Sequence, residues 1–422
     1  MSGIKQYNNN NNLKVSNNNS KQYLNNDLPT INPNTEVEEI NLEESPKNNS
    51  SDETIIQLME LYKNVGINSF IKRLSDLPFT IEHALLELKY NHYLDELNNN
   101  GYKQIANSLE KKYTELPTLG TNYVPQGICQ AGDYILITAY DGDEENTQNS
   151  KLYVMNTNGE LVKEVDLGNK SHVGGISYDE STNSIYISGK SGKNISGNKD
   201  KNCCTVYKYN YDDIFKNDNS LIKNIKEIEV DNNNLLKSSA SEDKNSSAGF
   251  LTTNKGSLYV GNFAYEEDKG VIKKYIIKED GSHELEKIIE NPYEKTQGLC
   301  IHEHNGEEYY IFSCSYGRKN NSRLIITKLN DNNTFETLKN FSIPPLSEQI
   351  SVDENGNINI VFESSAPKFN NDEDNSPKPK IEDVLSINFE TLMQQKDSQE
   401  MLTEFTTNFI DALTSFCGNY LK

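Results

Sequence analysis

Pro125-Gln126-Gly127-Ile128 is the stretch to read first, because the chain restates it four more times. The restatements are His172-Val173-Gly174-Gly175-Ile176, Ser247-Ala248-Gly249-Phe250, Thr296-Gln297-Gly298-Leu299 and Ser347-Glu348-Gln349-Ile350. Each opener runs through a turn into an aromatic–aliphatic segment, as in Tyr134–Ile137, Ile185–Ile187, Leu258–Val260, Tyr309–Phe312 and Ile358–Phe362. Working outward, Gln126 and His172 lie 46 positions apart, Ala248 and Gln297 lie 49 apart, and Gln297 and Glu348 lie 51 apart. The longer gap of 76 from His172 to Ala248 holds two polar stretches, 190–202 and 231–245, which read as loop insertions. A strand-rich unit repeated about every 40–50 residues is the mark of a radial array. The prediction is a mainly β chain folded as a β-propeller of five blades, with six reached only if the helical region conceals another.

Inside each unit the pattern is strand, turn, strand. Asn158-Gly159 and Asp280-Gly281 are strong hairpin signals between the outer strands of the first and third units. The fifth unit stops after three strands, ending at Val384–Ile387. An open last blade would expose an unpaired edge, so Lys112–Leu116, just before the first unit, is expected to add the fourth strand and close the ring. The propeller then spans 114–390.

The flanks differ in character. Residues 1–51 are Asn-rich and low in complexity, with too little apolar surface to offset chain entropy, and read as a disordered tail. Residues 52–113 switch to helical spacing, with Ile55, Leu58, Met59 and Tyr62 on one stripe and Ile81, Leu85, Leu88 and Leu94 on another. Residues 391–422 form a C-terminal amphipathic helix through Leu402, Phe405, Phe409, Leu413 and Phe416. Its apolar face is expected to pack on the N-terminal helices, the alternative being a coiled-coil-like homo-oligomer.

Composition excludes several function classes. With 63 acidic against 41 basic side chains, the chain carries a formal charge of −22, which repels nucleic-acid phosphates and anionic membranes. No run of about 18 apolar residues is present to span a bilayer. The N-terminus lacks the apolar core of an ordinary signal peptide, so a cytoplasmic location is expected, with leaderless export left open. The six cysteines read as small core residues in a reducing compartment, Cys129 and Cys300 taking equivalent strand positions. The adjacent Cys203 and Cys204 have no second pair at metal-ligand spacing.

Chemistry is expected at one mouth of the central channel. In a propeller the innermost strands start there and the second strands end there. The openers place Gln126, His172, Gln297, Glu348 and Gln349 around that mouth, and the second-strand exits add Tyr140, Asp141, Asn262, Tyr316, Arg318 and Glu363. His172 and Glu348 form the sharpest pair: they could hold a divalent metal with Gln126 and Gln297 as neutral oxygen ligands, or work as base and acid. Arg318 could clamp a ligand carboxylate or phosphate. The glycines beside the openers relieve crowding at the axis or admit a bulge that re-aims a side chain. No G-x-S-x-G elbow or phosphate-cradling glycine loop occurs.

Together, Pro125–Ile128, Ser171–Ile176, Gln297–Leu299, Ser315-Tyr316-Gly317-Arg318 and Pro344–Ile350 resemble a group of uncharacterised bacterial β-propeller proteins, and more distantly the lactonase-like and NHL-type propellers. The resemblance covers roughly 120–390. Gluconolactonase-type enzymes would imply an axial divalent metal on a Glu, Asn and Asp set, where this chain has Gln at two openers and His at a third. Two readings of function follow. One is a recognition propeller that binds a small polar molecule, a glycan or a protein loop at the channel mouth. The other is a metal-assisted hydrolase or lyase built on His172 and Glu348.

Overall fold

The computed structural model describes residues 81–112, 114–143, 147–191, 203–216, 226–231, 248–264, 270–371 and 375–420. The expected tail over 1–51 and the first helical stripe at Ile55–Tyr62 lie outside the described residues.

Five four-stranded antiparallel sheets form the body. Blade one comprises Tyr123–Ala131, Tyr134–Asp141, Lys151–Asn156 and Leu161–Asp166. Blade two comprises Ile176–Asp179, Ser184–Ser191, Cys203–Asn210 and Lys226–Asp231, and blade three Phe250–Asn254, Ser257–Gly261, Gly270–Ile277 and His283–Asn291. Blade four comprises Thr296–His304, Glu307–Cys314, Ser322–Leu329 and Phe335–Ile343. Blade five takes Ser347–Val352, Asn357–Phe362 and Asp383–Asn388, and its outer strand is Thr114–Glu115. That closure is the one expected from the missing strand. Thr114 pairs with Val384 and Glu115 with Asp383, so the last blade is completed by residues that precede the first.

The inner strands contact one another in a closed circle. Among the described residues, an apolar cluster fills each of the five blade junctions. Leu136 and Tyr207 meet between blades one and two, Tyr186 and Leu258 between two and three, and Phe250 and Phe312 between three and four. Ile311 and Ile358 join four to five, and Val361 and Ile137 join five back to one. With no Trp in the chain, Tyr and Phe fill the wide spaces between diverging blades.

Helix Ile81–Asn99 and the short helix Lys103–Ala106 extend the cluster between blades four and five through Tyr93, Leu97 and Ile105. Asp383 anchors the longer helix to the closing blade, accepting from Lys89 Nζ at 2.7 Å and Tyr93 OH at 2.8 Å. The C-terminal helix, Ser398–Tyr420, is tied down at its start, where Lys339 Nζ donates to the Gln395 carbonyl and Asp397 accepts from the Asn340 amide. The expectation that its apolar stripe packs inward is corrected over the part described: Leu402, Phe405 and Phe409 are exposed. No helix among the described residues is long and apolar enough to cross a membrane.

The glycine of the opener exists for packing. A Cβ on Gly127 would stand 2.4 Å from Thr138 Oγ1 and 2.9 Å from Ile176 Cγ2, and one on Gly298 would stand 2.7 Å from Gln349 Cα. Inner strands converge too closely there for any side chain.

Candidate functional site

The backbone at the channel mouth is irregular in a way that aims side chains. In blades one, four and five the pairing of inner and second strands slips between Pro125 and Gly127, between Thr296 and Gly298, and between Ser347 and Ile350. The residues left over by these bulges are Gln126, Gln297, Glu348 and Gln349. A bulge turns its extra residue out of the strand alternation, which is how a sheet re-aims a side chain near a site. The lead-ins are irregular too: Val173, Lys295 and Leu346 hold φ values of 52°, 60° and 63°. The left-handed region is costly for a β-branched residue such as Val173, by about 1–3 kcal/mol. The other positive-φ residues with side chains (Asn183, Lys255, Asn305 and Asn333) stand in turns between paired strands, where that conformation is ordinary.

These devices bring two carboxyls together. Glu348, from the bulge of blade five, and Glu363, at the exit of its second strand, are nearly dry at 2% and 6% exposure and hydrogen-bond each other. Gln126 Nε2 donates to Glu363 Oε1 at 2.6 Å, and Gln297 Nε2 donates to Glu348 Oε1 at 3.1 Å. Tyr140 also hydrogen-bonds Glu363, while Lys368 Nζ donates to the Tyr140 hydroxyl at 2.9 Å. Burial, and then the facing carboxyl, drives Glu348 well above the usual carboxylate range. Burial likewise pushes Glu363 up to about 7, against the pull of Gln126 and the Lys368 ammonium. Two carboxyls in contact cannot both ionise cheaply, so the pair holds one proton between them near neutral pH.

Above this floor lies the rim. The His172 ring stacks on Tyr140 with centroids 4.6 Å apart at 25°. His172 lies deep in the ring of blades yet shows one open face to solvent. Its depth and the Lys368 ammonium hold its pKa below the ordinary imidazole value, an effect that the open face moderates, and the ring is neutral at pH 7. Lys368 also lies 4.7 Å from the Tyr140 ring centroid and 5.6 Å from that of Phe369, and Arg318 lies 5.4 Å from Phe369. Tyr316 is 49% exposed, with Phe263 tilted against it at 6.4 Å and Lys295 Nζ 5.4 Å from its ring.

The residues expected at the mouth from the sequence divide according to what they touch. Gln126, Tyr140, His172, Gln297, Glu348 and Glu363 come together in one network. Tyr316 and Arg318 stand on its rim. Arg318 donates from Nη2 to the Lys368 carbonyl at 2.8 Å and forms no ion pair with any described carboxylate. Asp141 instead organises its own loop, accepting from the amides of Asp143 and Gln148. Asn262 Oδ1 accepts from the Val271 amide at 2.7 Å. Gln349 turns into the axis: its Oε1 accepts from the Ile176 and Ile128 amides at 2.6 and 3.3 Å, and its Nε2 donates to the Ile176 and Leu251 carbonyls at 2.7 and 3.0 Å. One side chain thus bolts blade five to blades one, two and three. A cavity of about 150 Å³ bordered by all five inner strands and by Gln349 lies along the axis.

The donor set does not suit a resident divalent ion. Both glutamines present their NH₂ groups to the carboxylates, and no group of three or more His, Cys, Asp or Glu side chains stands together among the described residues. The Gln126 amide oxygen is buried and finds no partner among the described residues, an unmet acceptor inside the network. Lys368 and Phe369 escape sequence reasoning because they sit in an aperiodic loop after Glu363. Their only signal is proximity in sequence to a second-strand exit. His302 and His304 do face one side as their spacing predicts, but both pack on the Phe389 ring, at 4.7 and 5.4 Å. Cys129, Cys300 and Cys314 are free and buried.

No protein-family model matches the chain, and no curated protein does. Solved structures similar to it include a GH32 β-fructofuranosidase from Bombyx mori (11% identity, 64% of this chain and 60% of that one, TM-score 0.35). Others are a GH43_1 enzyme from Xanthomonas citri (7%, 68% and 93%, TM-score 0.40) and the periplasmic gluconolactonase of Pseudomonas aeruginosa (10%, 54% and 75%, TM-score 0.33). The chain thus spans about 60% of the fructofuranosidase's length. At such values none of these proteins bears on what this chain binds or does.

Proposed function

We propose that the channel mouth binds a small polar ligand, and that the Glu348–Glu363 pair is the group that reads it. The observation that carries this reading is the pair itself, two nearly dry carboxyls in contact, one aimed by a strand bulge and the other at a strand exit. A scaffold has no need to hold such a pair, which costs stability at neutral pH, and perturbed carboxyls gathered in one polar network are characteristic of sites. A pair carrying one proton both donates and accepts, which suits hydroxyl groups. The test is a thermal-shift screen of sugars, sugar acids, lactones, amino acids and nucleosides against the wild type, Glu348→Gln and Glu363→Gln. A ligand that stabilises the wild type and loses that effect in both variants supports the reading. Ligands that stabilise all three proteins equally would put binding elsewhere.

One observation favours a second reading, acid–base catalysis at the same place. A carboxyl pushed up to about 7 is a competent proton donor and acceptor at neutral pH, and neutral His172 stands across Tyr140 from it. Hydrogen-bond contact is closer than the separation of about 5–9.5 Å used by the carboxylate pairs of glycosidases, so hydrolysis here would run through a shared-proton dyad acting on water. Turnover of a lactone or ester with a pH profile that Glu363→Gln abolishes would establish it. Saturable binding without product would leave recognition as the function.

A further inference from the structure

Resting on the reading of the mouth as a ligand site, we propose that its ligand is an anionic sugar, with the acid group held between Arg318 and Lys368 and the ring laid against Tyr316. The first ground is charge. In a chain with 22 more acidic than basic groups, two basic side chains side by side at one mouth are a local exception to the prevailing charge; elsewhere cations such as Lys89, Lys111, Lys112 and Lys339 pair with Asp383, Glu87, Asp353 and Glu400. Arg318 and Lys368 form no such ion pair with any described residue. They flank the same ring, Phe369, at 5.4 and 5.6 Å, and Arg318 is fixed by its hydrogen bond to the Lys368 carbonyl. The carboxyl pair offsets Lys368 only in part, and two basic side chains on one rim make it a place where an anion is favoured.

The second ground is the surface beside them. Tyr316, two residues before Arg318, presents a half-exposed ring edged by Phe263, a platform for the C–H face of a pyranose. The third is the floor. The shared proton of Glu348 and Glu363 and the amide oxygen of Gln297, which accepts from no described residue, offer donors and acceptors to hydroxyls. A lone carboxylate or phosphate would use only the cations, and a neutral sugar only the ring and the floor. An anionic sugar uses all three.

Calorimetric titration of the full chain tests this, using glucuronate, galacturonate, glucose 6-phosphate, the neutral parent sugars, acetate and inorganic phosphate. The proteins are the wild type, Arg318→Gln, Lys368→Gln, Tyr316→Ala and Glu348→Gln. The expected result is that a uronate or the sugar phosphate binds about tenfold or more tightly than its neutral parent. Which acid binds tells carboxylate from phosphate. Arg318→Gln and Lys368→Gln should erase the preference for the acid, and Tyr316→Ala should weaken acidic and neutral sugars alike. Equal affinity for acid and parent, unchanged by Arg318→Gln, would overturn the anion assignment while leaving the mouth as a site. If no compound in this set binds, but a different ligand from the screen binds and is lost in Glu348→Gln, the sugar class alone falls. Binding of the acids undiminished in Glu348→Gln would overturn both readings.

Discussion

Replacing Glu348 with Gln keeps the shape of the side chain and an oxygen for Gln297 to donate to, but removes one of the two acids on the floor of the mouth. The effect on stability is worked from the charge states. Glu363 has its pKa raised from the usual carboxylate value of 4.5 to about 7, so the fold disfavours its ionised form. Stability from this group is therefore fully present below pH 4.5 and is lost as pH rises through 7. At 1.36 kcal/mol per pH unit, the loss across that window is about 3 kcal/mol. Burial is the cause of that rise and the hydrogen bond from the Glu348 carboxyl opposes it, so Glu348→Gln does not abolish the loss. It removes the facing charge and the burial cost of Glu348 itself, a relief of about 1–2 kcal/mol at pH 8 and close to none at pH 5. For a chain of this size that corresponds to a rise in Tm of about 1–3 °C at pH 8. Thermal scans of both proteins at pH 5 and pH 8, at matched ionic strength, read it directly. A variant that is equally shifted at both pH values, or less stable at pH 8, would refute the shared proton.

Three further outcomes follow from the packing. Gln349→Ala leaves four buried backbone groups from three blades without their partner and should cost about 4 kcal/mol in urea unfolding; a change below about 1 kcal/mol would show that the axial bolt is not structural. Gly298→Ala puts a Cβ 2.7 Å from Gln349 Cα, a backbone atom that cannot yield, and should lower stability by about 2 kcal/mol or more, where an unchanged Tm would mean the inner strands are less crowded. Dialysis against a strong chelator should leave Tm within about 1 °C, because the glutamine amides already face the carboxylates; a fall of several degrees would reveal a bound ion.

Much of this molecule is legible in its sequence because a repeat reports its own geometry. The five openers give five inner strands, and the absent fourth strand after Ile387 points to Lys112–Leu116, within which Thr114–Glu115 makes the closure. The same repetition puts Gln126, His172, Gln297, Glu348 and Glu363 at one end of the channel before any contact is known. Periodicity could not say which of them touch. A bulge changes the direction of a side chain without changing the residue pattern, so Glu348 and Gln349, adjacent in the chain, divide between the network at the mouth and the axial bolt. Lys368 and Phe369 belong to a loop that returns toward blade one with no repeat to mark it. The stripe at Leu402, Phe405 and Phe409 has the spacing of a buried helix face, and spacing alone does not reveal that the surface beside it is solvent.

A ligand bound at the Glu348–Glu363 mouth is what the proposed function requires. The most direct measurement is a crystal structure of the chain with the best ligand from the screen. The ligand is expected at the mouth, within hydrogen-bond reach of the carboxyl pair or Gln297 and beside Tyr316. The ligand seated in the groove of Lys208, Asp213 and Lys278 between blades two and three, with the mouth empty, would contradict it.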